Sequence, residues 1–171
     1  DAAMRTFAWD AEMRTYSMER AEEFRAGMVQ RIHANPGARG IKQLRFVVGF
    51  ADGRSESPGE SQSRVRMWEL HIPTPVLQVP IEIAGSFRRA DFGWPQLRRF
   101  GEFDGAIKHI DPTMMNGRTA DQVLRDQRER RDAIESATGW PVLHWGSRES
   151  QDAELLLASL VSQGWPAYAR L

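Results

Sequence analysis

Phe87-Arg88-Arg89-Ala90-Asp91-Phe92-Gly93-Trp94-Pro95-Gln96-Leu97-Arg98-Arg99-Phe100-Gly101-Glu102-Phe103-Asp104-Gly105-Ala106-Ile107-Lys108-His109 is the stretch on which the fold of this chain turns. It reads as two short strands folded back on each other, with the reversal near Pro95, Gln96 and Leu97. Alternate residues of a strand share a face, so Glu102 and Asp104 point the same way. An antiparallel return sets Asp91 roughly opposite Glu102, and directly opposed residues have Cβ atoms about 4.5 to 5.5 Å apart. Two ionised carboxylates about 4 Å apart, at an effective dielectric of about 20, repel by roughly 4 kcal/mol. Such a grouping calls for a shared proton or a cation, and Mg²⁺ suits it because that ion takes oxygen ligands and few carboxylates. Pattern alone leaves a second reading open, in which the acids are solvent-face residues of an ordinary hairpin balanced by Arg88, Arg89, Arg98 and Arg99.

Outward from the hairpin on its N-terminal side, residues 76–83 alternate, with Leu77, Val79, Ile81 and Ile83 on one face and Gln78 and Glu82 on the other. This predicts a half-buried strand, and Ala84-Gly85-Ser86 turns it into the hairpin, making three consecutive antiparallel strands. Before it, Ser57-Pro58-Gly59-Glu60 is a helix start that continues through Val65, Trp68 and Leu70 to His71, with Pro73 as the stop. Glu60 fills the acid position of a capping box. It also sits at the positive end of a helix, four residues before Arg64, where it could help to hold a metal or a water; both roles stay open. Residues 4–34 read as one helical segment closed by Asn35-Pro36-Gly37, and 38–51 as a second helix with Ile41, Leu44, Val47, Val48 and Ala51 on one face. His33 near the first helix end reads as a dipole partner.

On the C-terminal side a long helix is expected after Asn116-Gly117, capped by Thr119 with Gln122 three residues on. Its apolar positions are Ala120, Val123, Leu124, Ile134 and Ala137, but Gln127, Arg130 and Arg131 interrupt them. Arg131 reads as a residue that flanks the core and snorkels; for Arg130, snorkelling and pointing over a sheet edge into a site stay open. Gly139 ends the helix, and residues 140–145 form a strand that a right-handed crossover places parallel to 100–104. A last helix over 149–162 carries a Leu stripe that reads as core.

The balance of the chain limits the function classes. Hydrophobic residues make up 41% and charged residues 27%, as in a globular domain. With 23 Lys plus Arg against 23 Asp plus Glu, any affinity for nucleic acid has to come from a local patch. The absence of Cys removes disulfides, thiolate zinc sites and Cys nucleophiles, and fits a reducing, cytoplasmic setting. No apolar run approaches the roughly 20 residues of a membrane span. The four His lack metal-ligand spacing, and there is neither a Gly-rich phosphate loop nor a nucleophile elbow around a Ser. The chain opens at Asp1 directly in helical pattern, so residues 1–51 are expected to be a helical segment ending a preceding region of a longer polypeptide. Residues 52–171 are expected to form the main domain.

A helix bearing Glu60, three antiparallel strands bearing Asp91 and Glu102, a long helix, a parallel strand and a helix resemble the core of the PD-(D/E)XK nuclease superfamily. The local wording Ser57-Pro58-Gly59-Glu60-Ser61, Ser63-Arg64-Val65, Pro75-Val76-Leu77-Gln78-Val79, Ala90-Asp91-Phe92-Gly93-Trp94-Pro95 and Glu102-Phe103-Asp104-Gly105 with Lys108 is similar to a branch near the very-short-patch-repair endonucleases. In that branch the domain often forms the C-terminal part of actinobacterial AbiEi-like antitoxins. The likeness covers roughly residues 52–146, and the final helix by topology. It implies an α/β, restriction-endonuclease-like fold: a mixed four-stranded sheet flanked by helices, with an N-terminal helical extension. It implies a Mg²⁺- or Mn²⁺-dependent DNA endonuclease with Asp91, Glu102 and Asp104 as metal ligands and Glu60 and Lys108 in supporting catalytic roles. Asp104 departs from the pattern, standing where the motif has Lys, and Lys108 lies four residues further on. Arg64, Arg88, Arg89, Gln127 and Arg130 are the expected DNA contacts. An inactive DNA-binding or antitoxin-type regulatory module on the same fold is the alternative, and the N-terminal helices are a candidate surface for a protein partner.

Overall fold

A computed structural model describes residues 1–13, 15–105 and 119–166. They divide into two compact units, Asp1–Pro58 and Gly59–Leu171, against the expected division after residue 51.

In the first unit, α1 (Ala2–Ala8) leads into a small antiparallel hairpin, β1 (Trp9–Asp10) and β2 (Thr15–Tyr16), followed by α2 (Met18–Ala34) and α3 (Ile41–Phe50). The single helix expected over 4–34 is therefore broken. Asp10 Oδ1 accepts the backbone N–H groups of Glu12 and Met13 at 3.0 and 2.9 Å, closing a turn. Ser17 Oγ accepts from Arg20 N–H at 3.2 Å and starts a new helix. Short polar side chains that bond their own backbone compete with helix continuation, and here they prevail over apolar spacing. Met4, Ala8 and Ala21 make the small core of this unit.

The second unit follows the expected order. It runs through α4 (Pro58–Glu69), β3 (Val76–Ile83), β4 (Ser86–Trp94), a 3₁₀ turn (Pro95–Leu97), β5 (Arg99–Asp104), α5 (Ala120–Thr138), β6 (Val142–Gly146), α6 (Ser147–Gln151) and α7 (Ala153–Ser162). The sheet order is β3-β4-β5-β6, antiparallel across the first three strands and parallel between β5 and β6. It is thus a mixed four-stranded sheet with flanking helices. Met67 of α4 and Leu156 and Leu160 of α7 pack with Phe92, Trp94, Leu143 and Trp145. Ile134 of α5 packs with Ile81, Ala90, Phe100 and Val142 in a separate cluster. Thr119 and Gln122 form the capping box that starts α5, and Gly139, at φ +68°, ends it.

Three local departures matter. Leu77 joins the Phe92 and Trp94 cluster whereas Ile81 joins that of Ala90 and Phe100, so the strict alternation expected over 76–83 fails. The cause is Gln78, held at φ +54°, a left-handed conformation that costs an L-residue about 1 to 2 kcal/mol. In α4 the buried apolar position is Met67, and Trp68 is 54% exposed. The helix expected over 149–162 is two helices, because Asp152 Oδ1 accepts from Glu154 and Leu155 N–H and restarts the backbone.

Candidate active site

β4 and β5 pair at Phe92 with Gly101, Gly93 with Phe100 and Trp94 with Arg99. One further step of that register sets Asp91 opposite Glu102, but there a side chain replaces the ladder. The Phe103 N–H donates to Asp91 Oδ2 at 2.9 Å. The carboxylate of Asp91 is thereby anchored to the strand that carries Glu102 and Asp104. The start of α4 is pressed onto the same strand: a Cβ on Gly59 would fall inside the ring of Phe103, so only glycine permits this approach. Ser63 Oγ donates to the Gly59 carbonyl at 2.7 Å and accepts from Trp145 Nε1 at 2.7 Å, tying α4 to β6. Glu60 follows directly and is buried at 7% exposure. Gln78 Nε2 donates to Glu60 Oε2 at 3.0 Å. The strained backbone of Gln78, on the strand beside Asp91, thus aims a neutral donor at the helix-borne acid.

The electrostatics follow from this placement. Burial pushes the Asp91 carboxyl up to about 7, the Phe103 N–H opposes the rise, and the charges of Glu60 and Glu102 add to it, with Arg130 opposing. Glu102 is 9% exposed; burial raises its carboxyl, Arg130 opposes, and Asp104 adds to the rise. Arg130 Nη2 lies 2.9 Å from Glu102 Oε1, yet the same nitrogen donates to the Arg89 carbonyl. The Arg130 guanidinium is therefore shared between the Glu102 carboxylate and the Arg89 carbonyl. Asp104 is also raised, chiefly by burial, with His144, Arg131 and Arg130 opposing.

A cavity of about 170 Å³ lies between α5 and the sheet, lined by Glu102, Asp104, Gln127, Arg128, Arg131 and His144. Gln127, Arg130 and Arg131 interrupt the apolar face of α5 because that part of the helix covers the acids of β5. Arg131, expected to snorkel, is a cavity residue. His144 was not singled out by spacing; it enters because β6 runs parallel to β5 in a register that pairs it with Glu102. Gln163 Oε1 accepts from the His144 backbone N–H and meets Nδ1, each at 2.9 Å, while Gln163 Nε2 donates to the carbonyls of His144 and Ser159. Those two carbonyls accept only, which orients the amide, so Nδ1 donates to Gln163 Oε1.

The remaining expected residues are distributed less evenly. Arg88 and Arg89 are exposed on β4 and Gln127 is half-buried, whereas Arg64 is buried within α4. Lys108 lies outside the described residues. Among the described residues no three His, Asp or Glu groups converge as a ligand set, so Asp91, Glu102 and Asp104 are not found as one cluster. Arg130 takes up one side of Glu102, and Asp104 interacts with His144 and Arg131. What converges is a pair, Asp91 and Glu102, flanked by Glu60. A hard ion that takes one or two carboxylates and completes its shell with water and phosphate fits that pair.

Two curated Mycobacterium tuberculosis proteins are similar to the chain. The uncharacterized protein MT2308 of strain CDC 1551 / Oshkosh and the uncharacterized protein Rv2248 of strain ATCC 25618 / H37Rv are each 38% identical over 107 residues. The match takes in 62% of this chain and 38% of theirs, so it spans under two-fifths of the length of these relatives. No family model matches the chain, and no solved structure matches it.

Proposed function

We propose that the second unit is a restriction-endonuclease-like domain of the PD-(D/E)XK type that hydrolyses DNA phosphodiesters with Mg²⁺ or Mn²⁺. One observation carries the reading: Asp91 and Glu102 are buried beside each other on strands tied by the bond from Phe103 N–H to Asp91, with the Asp91 carboxyl pushed up to about 7 and that of Glu102 also raised. Two such acids are tolerated when a cation joins them, and they are costly otherwise. A bound ion would supply a water of lowered pKa and neutralise charge that builds on the scissile phosphate. Asp91, held by the Phe103 N–H, and Glu102 would hold it, with Asp104 on the same strand available to its outer side. Glu60, oriented by Gln78, would position a water. Gln127, Arg128, Arg130 and Arg131 would meet phosphate oxygens, and Arg88 and Arg89 would steer the backbone without reading bases. In the place of the motif's Lys, the His144 imidazole, paired in register with Glu102, would be the nearby group for proton transfer. No helix among the described residues is long and apolar enough to cross a membrane, and a DNA substrate would imply a cytoplasmic setting.

Arg130 against Glu102, together with Asp104 in the Lys position, favours a second reading: a DNA-binding or antitoxin-type module that keeps the fold without the chemistry. A plasmid-nicking assay with Mg²⁺ and Mn²⁺ separates the two. Nicking that is lost in Asp91→Ala and Glu102→Ala while both variants stay folded supports the enzyme. Unchanged cleavage in either variant removes the mechanism. Absence of cleavage, with no rise in melting temperature at millimolar metal, selects the inactive module.

A further inference from the structure

Between Glu23 and Asp52 the chain has no acidic residue, yet it carries Arg25, Arg31, Arg39, Lys42 and Arg45. In a chain whose formal charges sum to zero this is segregation of charge into one segment of the first unit. Arg25 is committed inward, donating to the carbonyls of Val48 and Ala51 at the end of α3. The other four are exposed, and among the described residues none of them makes an ion pair. Lys42, Arg45 and Phe46 stand three and four residues apart and therefore share a face of α3. Phe46 is 42% exposed and stacks on Phe50 with ring centroids 5.5 Å apart. The opposite side, with Val48 buried and Ile41 and Leu44 half-buried, is used in packing.

We propose that the exposed face of α3, with Arg31 and Arg39 at its approach, docks the phosphate backbone of nucleic acid, and that Phe46 is its stacking platform for an unpaired base. Four cations without an ion pair, on a segment with no acid between Glu23 and Asp52, fit a polyanion of regular charge, and arginine forks match phosphate oxygens in pairs. A lipid surface fits less well, because a helix lying in a bilayer interface needs its apolar stripe free, and here Ile41, Leu44 and Val48 face inward. This surface belongs to the first unit, and binding there does not depend on the hydrolysis proposed for the second.

The test is equilibrium binding of labelled duplex and single-stranded 20-mers to the whole chain in EDTA, so that no cleavage enters the readout. Four phosphate contacts give a slope of log affinity against log salt of about −3.6 for duplex and about −2.8 for single strands. Neutralising three cations in Arg39→Gln/Lys42→Gln/Arg45→Gln is expected to lower affinity at least tenfold at moderate salt and to flatten the slope by about 2 to 3. Phe46→Ala is expected to weaken single-strand binding several-fold and leave duplex binding unchanged. All four positions are exposed, and melting temperatures equal to the parent's confirm folding; the double variant Lys42→Gln/Arg45→Gln serves if the triple variant does not fold. Failure of the parent to bind, or affinity and slope unchanged in a folded variant, overturns the proposal. So does tighter binding to polyglutamate or to vesicles containing phosphatidylserine than to DNA. Absence of nicking by the parent, with this binding retained, would remove the nuclease reading and leave this surface standing.

Discussion

Asp91→Asn tests the electrostatics of the site directly, because it removes the ionisable group and keeps an oxygen to accept the Phe103 N–H. In the folded chain the Asp91 carboxyl is pushed up from 3.8 to about 7. Between those values the native state holds a proton that the unfolded state has released. The slope of stability against pH follows protons bound in the unfolded state minus protons bound in the native state, so it is negative in this window. The contribution is fully present below pH 3.8 and is lost as pH rises through about 7. A displacement of about 3 pKa units at about 1.4 kcal/mol each is on the order of 4 kcal/mol, a large part of the roughly 5 to 15 kcal/mol that holds a domain folded. Urea denaturation of parent and Asp91→Asn at several pH values between 4 and 8 measures it. The two should agree near pH 4, and the variant should gain steadily above it, up to that order of magnitude by pH 8. Mg²⁺ at millimolar concentration should close the gap at pH 8 by stabilising the parent alone, since an ion that binds only the folded state raises its stability. Because Glu60 and Glu102 interact with the Asp91 charge, the difference reports the coupled titration of Asp91 with these neighbours. A difference that stays flat from pH 4 to 8 would show that Asp91 titrates as a solvated acid, and the paired-acid reasoning would fail.

Gly59→Ala should destabilise the second unit by about 1 to 3 kcal/mol in the same urea assay, because its methyl would fall inside the Phe103 ring and force α4 away from β5. An unchanged midpoint would mean that the two elements are not in close contact. At Gln78, replacement by glycine exchanges the strain of φ +54° for the lost bond to Glu60 and should leave stability within about 1 kcal/mol of the parent. Gln78→Val keeps the strain, adds a β-branched side chain and loses the bond, so it should cost about 2 to 3 kcal/mol. Equal melting temperatures for the two variants would refute the left-handed backbone at this position.

The order of strands and helices in the second unit was legible without coordinates. The Pro95 reversal, the Thr119 and Gln122 box and the Gly139 stop are local signals that the structure uses as they stand, whereas period-two alternation marked the strand over 76–83 but not the change of face at Gln78. So was the apposition of Asp91 and Glu102, because a reversal at a known residue determines which positions oppose. Local chemistry also explains the misses in the helices: Asp10, Ser17 and Asp152 each offered the backbone a side-chain partner, and apolar spacing does not register that competition. What only tertiary structure decided were relations between residues distant in sequence. Those are the glycine-only contact of Gly59 on Phe103, the strained Gln78 aimed at Glu60, Arg130 against Glu102, and His144 brought beside Glu102 by the parallel register of β6. Burial sets the charge state of the acids, and burial belongs to the packed chain as a whole, so the rise of Asp91 to about 7 could not be read from the letters around it.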